Sequence, residues 1–174
     1  FDASDMIPND RIIFIDIETV SGTKTYHQLS PAIQALRDKK STYLCEKNNR
    51  TPEEAYHQKA WIFAEFGKIV CIVIGFYKES HGNNRFVVKT VAGNDEWQVL
   101  TGFLETAQQW ESDYALCGHN IIEFDIPYVC RRALINQLKI PNILNTQGKK
   151  PREIHHIDTM NLWKFGDYKN YTSL

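Results

Sequence analysis

Two acids, Asp16 and Glu18, are the residues of this sequence best placed to do chemistry. They stand in the run Arg11-Ile12-Ile13-Phe14-Ile15-Asp16-Ile17-Glu18-Thr19-Val20, behind an almost unbroken apolar stretch that reads as a buried strand over residues 11–16. Strand side chains alternate, so Asp16 and Glu18 project to one face two residues apart and can converge on a single site. At the end of a buried strand two like charges repel and are poorly hydrated, which pushes each towards protonation unless a cation compensates them. A hard divalent ion such as Mg²⁺ or Mn²⁺ removes the conflict, because it prefers carboxylate oxygens and no cysteine or histidine cluster competes for the role. Alone, Asp-x-Glu also has a plainer reading, as a solvated strand end or a helix N-cap.

A second acidic position lies in Cys117-Gly118-His119-Asn120-Ile121-Ile122-Glu123-Phe124-Asp125-Ile126-Pro127-Tyr128. Here Asp125 opens a helix after a short strand and a Gly-His-Asn turn. By itself it could serve only to favour the helix N-terminus through the macrodipole.

Taken together, the two motifs resemble the proofreading exonuclease domains of the B-family DNA polymerases and, more widely, the DEDD exonucleases of the RNase H-like fold. Phe14-Ile15-Asp16-Ile17-Glu18-Thr19 is similar to the first motif of that family, and Gly118-His119-Asn120 with Phe124-Asp125-Ile126-Pro127-Tyr128 to the second. The tail from His156 onward also resembles the segment after the second motif in a bacterial group of polymerase-B-like exonucleases. The resemblance implies a 3′-5′ exonuclease that hydrolyses phosphodiester bonds at the 3′ end of DNA with two metal ions about 4 Å apart. It implies that Asp16 bridges both ions, that Glu18 binds the one carrying the attacking water, and that Asp125 holds the other. It further implies that Thr19 through its backbone, Asn120 and Phe124 line the terminal nucleotide, with Phe124 as a stacking surface. The expected partner is a single-stranded 3′ end, and the resemblance does not separate DNA from RNA. Asn120 has a second reading, as a residue that only stabilises its turn, and Phe124 as one that only fills core.

One departure from the family pattern stands out. A third motif, Tyr-x-x-x-Asp or His-x-x-x-x-Asp, supplies the last acid in that family, and neither spacing occurs after Asp125; Asp158 and Asp167 lack a Tyr or His at the required distance. The chain also opens on Phe1 and stops at Tyr171-Thr172-Ser173-Leu174, where Thr172-Ser173 has the character of a helix cap. These features predict a C-terminally truncated domain that binds metal weakly and cleaves slowly or not at all. A non-catalytic RNase H-like module that binds nucleic acid or protein is the competing expectation. A metal-dependent phosphatase of another α/β fold would need a nucleophilic Asp or a His-rich motif that is not found.

The elements that must position these acids follow from pattern. After the first strand, residues 22–60 read as a helical insertion, with patches at 31–40 and at 52–60, the latter opened by Thr51-Pro52-Glu53-Glu54. Residues 68–78 and 84–92 read as a β-hairpin pairing beside the first strand. Residues 96–110 carry Val99, Leu100, Phe103, Leu104 and Ala107 at helical spacing, and a buried strand then ends in the Gly-His-Asn turn. Residues 124–138 give a second helix with Pro127 in its first turn, residues 153–157 a further strand, and Asp158 or Thr159 a helix start. No second core is expected. The fold class is therefore α/β and RNase H-like: a mixed sheet with an antiparallel hairpin beside a central strand and helices on both faces, in a single domain spanning 1–174.

Composition narrows the rest. With 20 basic and 21 acidic residues the net charge is −1, so a polyanion must be recognised locally. Residues 130–132 (Cys-Arg-Arg) and 147–152 (Gln-Gly-Lys-Lys-Pro-Arg) could steer phosphates or form a solvated face. The aromatic-rich stretch 60–68 could be core or a nucleic-acid platform. Of His155-His156, one is expected at the surface and one in the core. The four cysteines are scattered and read as reduced thiols. No apolar run is long enough to span a bilayer, and a cytoplasmic location is expected.

Overall fold

The computed structural model describes residues 7–80, 82–110 and 112–167. Five strands form one mixed sheet in the order β3-β2-β1-β4-β5: β1 (Ile12–Ser21), β2 (Gly67–Ser80), β3 (Asn83–Ala92), β4 (Ala115–Gly118) and β5 (Ile157–Asp158). β1 is the centre. It pairs antiparallel with β2, which turns back onto β3, and parallel with β4, which pairs parallel with β5. This is an α/β, RNase H-like arrangement.

The core lies on one face of the sheet. Ile13, Ile15 and Ile17 alternate inward along β1 and are at most 7 % exposed, so each in-between residue points to the opposite face. Against the inward set pack α3 (Glu96–Ala107), through Val99, Leu100, Phe103 and Leu104, and α4 (Asp125–Ile135), through Ile126, Tyr128, Val129 and Ala133. Asp95 caps α3 by accepting from the Trp97 amide at 2.9 Å. Pro127 sits in the first turn of α4, where its missing N–H breaks no helical bond. The short α5 (Thr159–Lys164) starts directly from β5.

Residues 22–60 carry α1 (Pro31–Asn48) and α2 (Pro52–Lys59), each opened by a proline in the first turn, and the second closed at its start by the reciprocal Thr51/Glu54 capping box. This segment packs with Phe66 into a small second apolar cluster, through Tyr26, Tyr56 and Ala60, which the sequence reading did not anticipate. The buried Arg37 guanidinium donates to the Ala55 carbonyl at 2.8 Å and lies over the Phe63 and Phe66 rings.

Several boundaries differ from expectation: α1 runs on to Asn48 instead of ending at 40, α4 ends at Ile135 instead of 138, and two strands differ near the acids. β1 does not stop at Asp16 but runs to Ser21, because the long β2 continues to supply ladder partners as far as Gly67, across a bulge between Glu18 and Thr19. The last strand is not 153–157 but the two residues of β5, since Pro151–Glu153 forms a 3₁₀ turn. Among the described residues no helix is long and apolar enough to cross a membrane, and all four cysteines are free thiols.

β4 departs from β1 at Gly118, where a Cβ would stand 2.7 Å from the Ile15 carbonyl oxygen and 3.2 Å from Ile121. Gly118→Ala is therefore expected to destabilise the protein by about 1–3 kcal/mol. Urea unfolding would read this as a lower midpoint with an unchanged slope.

Candidate active site

Asp16 and Glu18 project from the middle of β1, opposite Val73 and Cys71 of β2, and are exposed on the face away from the core. The alternation that buries Ile13, Ile15 and Ile17 is what presents them together. Their charge reaches Cys71, whose thiol pKa is raised by burial and then by Glu18 and Asp16.

Asp125 arrives from the other side. β4 pairs only with Ile12, Ile13 and Phe14, so further along β1 the ladder on that side has ended. There the Ile17 N–H donates to Asp125 Oδ1 at 3.1 Å, and the carboxylate takes the place of a strand partner. Asp125 is 4 % exposed at the first turn of α4. Its pKa is pushed up to about 7, first by burial and then by the Asp16 charge, with Asp158 adding to the rise and the Ile17 amide opposing it. The structure thus couples Asp125 to Asp16 electrostatically, and Glu18 stands on the same face as Asp16. It does not gather the acids into one tight cage: among the described residues no three His, Cys, Asp or Glu side chains form a group able to hold a metal ion.

The donors present nevertheless suit a hard cation. They are carboxylates, the Asp16 charge adding to burial in raising the Asp125 pKa, and Mg²⁺ is commonly bound by one or two carboxylates with water and substrate phosphate completing its shell. Asp16, Glu18 and Asp125 are the residues that would hold it.

The other predicted residues lie on β1, at the head of α4 and in the turn between β4 and α4. Asn120 adopts the left-handed region at φ 60°, and its amide donates to Asp158 Oδ1 at 2.9 Å. Phe124 is partly buried at the head of α4, with its ring 5.4 Å from that of Tyr128. Thr19 donates through Oγ1 to the Trp61 carbonyl at 3.0 Å. A shallow cavity of about 360 Å³ opens over the same sheet face, lined by Asp16, Phe14, Val73, Val88, Cys117 and His119 among others. Two larger cavities, of about 570 and 580 Å³, hold none of the motif residues.

Asp158, expected only as a candidate helix start, has a second role that sequence reasoning missed. It is buried and accepts from three amides, those of Asn120, Ile122 at 3.2 Å and Met160 at 3.0 Å, so one carboxylate caps α5 and fixes the turn before Asp125. Its place just before Thr159 at a helix start was the available signal; its grip on the 120–122 turn was not readable from spacing. Asp158→Asn is expected to cost about 1–2 kcal/mol of stability, because one acceptor oxygen becomes a donor facing an amide. Any metal-dependent cleavage should fall about 10- to 100-fold in that variant, as expected of a residue that supports the site without touching the ion.

Other candidates resolve differently. Arg132 is not available to phosphates: it pairs with the buried Glu96 and donates to the Ala64 carbonyl at 2.8 Å. Glu96 in turn accepts the Ile69 amide at 2.7 Å, tying α3, α4 and β2 together. His155 is exposed, whereas His156 is partly buried, accepting from the Leu116 amide at Nδ1 and bonding the Ile143 carbonyl through Nε2; burial lowers its pKa, against the opposing pull of the Ile143 carbonyl.

The fold and this arrangement of acids describe a nuclease domain of the RNase H-like class. The family model for the exonuclease domain of DNA polymerase family B matches residues 2–172, and the chain belongs to that family. No curated protein matches the chain.

Proposed function

We propose that the chain is a divalent-metal-dependent 3′-5′ exonuclease domain that removes nucleotides from single-stranded 3′ ends of DNA. The observation that carries this reading is the placement of Asp125, a carboxyl held near neutrality by burial and by Asp16, beside a strand that presents Asp16 and Glu18 on one face. When bound, Mg²⁺ or Mn²⁺ supplies Lewis-acid activation of water and neutralisation of phosphate charge.

The chain's own residues supply position. The central strand fixes the spacing of Asp16 and Glu18, and the Ile17 amide fixes the orientation of the Asp125 carboxylate. The Asp158-anchored turn carries Asn120 and leads to Phe124 just before Asp125, and these two are the residues proposed to meet the terminal sugar and base. Water attack at the terminal phosphodiester breaks the bond to the 3′ oxygen of the penultimate sugar, releasing a nucleoside 5′-monophosphate and a new 3′ hydroxyl. With three motif acids and no third-motif spacing, turnover is expected to be slow.

Mass analysis of the small products formed from an oligonucleotide with Mn²⁺ tests this directly. Nucleoside 5′-monophosphates are expected; 3′-monophosphates or short oligonucleotides would contradict it. One observation favours the second reading, a non-catalytic binding module: among the described residues the acids do not close into a cage. Tight binding of the strand with no monophosphate released under Mn²⁺ would select that reading.

A further inference from the structure

The stretch from Ala60 to Gly67 joins the helical segment to β2, and its three aromatic side chains have different fates. Phe66 is 2 % exposed in the apolar cluster with Tyr56, and Phe63 packs against the same cluster. Trp61 is 41 % exposed. It is nonetheless held in place from several sides. Its indole Nε1 donates to the Gln58 carbonyl at 3.0 Å, and its own carbonyl accepts from Thr19 Oγ1 at 3.0 Å and from the Tyr128 hydroxyl at 2.9 Å.

Those two donors belong to the two halves of the acid site. Thr19 follows Glu18 on β1, and Tyr128 lies in the first turn of the helix that Asp125 begins. Tyr128 is buried, its ring meets that of Phe124, and its hydroxyl occupies space that only a glycine at 67 leaves open: a Cβ there would stand 2.1 Å from it. A single carbonyl therefore ties an open indole to both motifs. A buried hydroxyl and a strand threonine spent on one loop carbonyl make the position of this ring reproducible, as a binding surface requires.

We propose that Trp61 is a stacking platform for a base of the strand whose 3′ end lies at Asp16 and Glu18. This rests on the exonuclease reading above. An indole offers a large π-face that accepts any base, so the platform adds affinity without sequence preference. It marks a position on the strand separate from the base beside Phe124, and it sets how many terminal nucleotides must be unpaired to reach the acids.

The test is equilibrium binding of a 5′-labelled single strand by fluorescence anisotropy, with Ca²⁺ in place of Mg²⁺ so that binding is read without turnover. Trp61→Ala should weaken binding about 5- to 30-fold, whereas Trp61→Phe should stay within about threefold of the parent chain. Far-UV circular dichroism checks that both variants fold; the hydrogen bonds from Thr19 and Tyr128 go to main chain and survive either change. A series of strands with one abasic site at successive 3′-terminal positions supplies the decisive comparison. At one position the abasic strand should bind Trp61→Ala and the parent chain equally, because the stacking partner is already gone. Equal binding of intact strands by parent and Trp61→Ala would overturn the proposal alone, as would a loss that no abasic position removes. Failure of the parent chain to bind any strand would overturn the exonuclease reading and this proposal with it.

Discussion

Asp16→Asn is expected to lower metal-dependent strand shortening by about 10²–10³-fold while leaving stability within about 0.5 kcal/mol of the parent chain. The stability half follows from position. Asp16 is exposed on the open face of β1, and the core residues beside it, Ile15 and Ile17, point the other way. Asparagine has nearly the same shape, so the ladder to Val73 and the inward packing are undisturbed. The activity half follows from charge. Asp16 is the acid whose field reaches both Asp125 and Cys71, which makes it the carboxylate central to the group. An amide oxygen in its place ligates a hard cation weakly and neutralises nothing. Initial rates on a labelled strand, paired with urea midpoints, separate the two effects. Equal loss of rate and stability would instead make Asp16 a structural residue.

Asp125→Asn should do something less intuitive: stabilise the metal-free protein at neutral pH while abolishing cleavage. The folded-state pKa of Asp125 is raised to about 7 from the ordinary carboxylate value of 3.8. Between those values the folded state binds the proton that the unfolded state has lost. Stability attributable to this group therefore falls as pH rises through that window, and above pH 7 the full cost of a buried charge beside Asp16 is present. Asparagine keeps an oxygen to accept the Ile17 amide and carries no charge. The expected gain at pH 8 is about 1–3 kcal/mol, or several degrees in thermal midpoint, shrinking towards zero near pH 4. Subtracting variant from parent midpoints across pH isolates Asp125 from other titrating groups. Saturating Mn²⁺ should reverse the order, because an ion held by Asp16, Glu18 and Asp125 stabilises the parent and not the variant. If the variant is less stable than the parent at every pH without metal, Asp125 is holding structure through its charge and the electrostatic reading fails.

The sheet was legible in the sequence wherever periodicity is local. The almost unbroken apolar run from Ile12 to Ile15, the 68–78 and 84–92 runs, and the helical face of Val99, Leu100, Phe103 and Leu104 each report their own environment. The acids themselves were legible for the same reason, since two residues on one strand face need no tertiary information. What was not legible depends on distant partners. β1 continues past Asp16 because β2 is long enough to pair with it, and the last strand shrinks to Ile157–Asp158 because Pro151–Glu153 forms a 3₁₀ turn and the Leu116 amide of β4 goes to the His156 ring. Asp158 looked like a failed third-motif acid, whereas its amide partners at Asn120 and Ile122 lie 38 and 36 residues away. Trp61 was indistinguishable from Phe63 and Phe66 until the Tyr128 hydroxyl, 67 residues off, was seen to fix it.

A denaturing-gel time course of a 5′-labelled single strand, at excess protein with Mn²⁺ and beside a sample with chelator, tests the central claim most directly. The placement of Asp16, Glu18 and Asp125 predicts a slow ladder that shortens one nucleotide at a time from the 3′ end, absent with chelator and absent in Asp16→Asn. A strand that stays full length with Mn²⁺, is cut internally, or loses its label first from the 5′ end would contradict it.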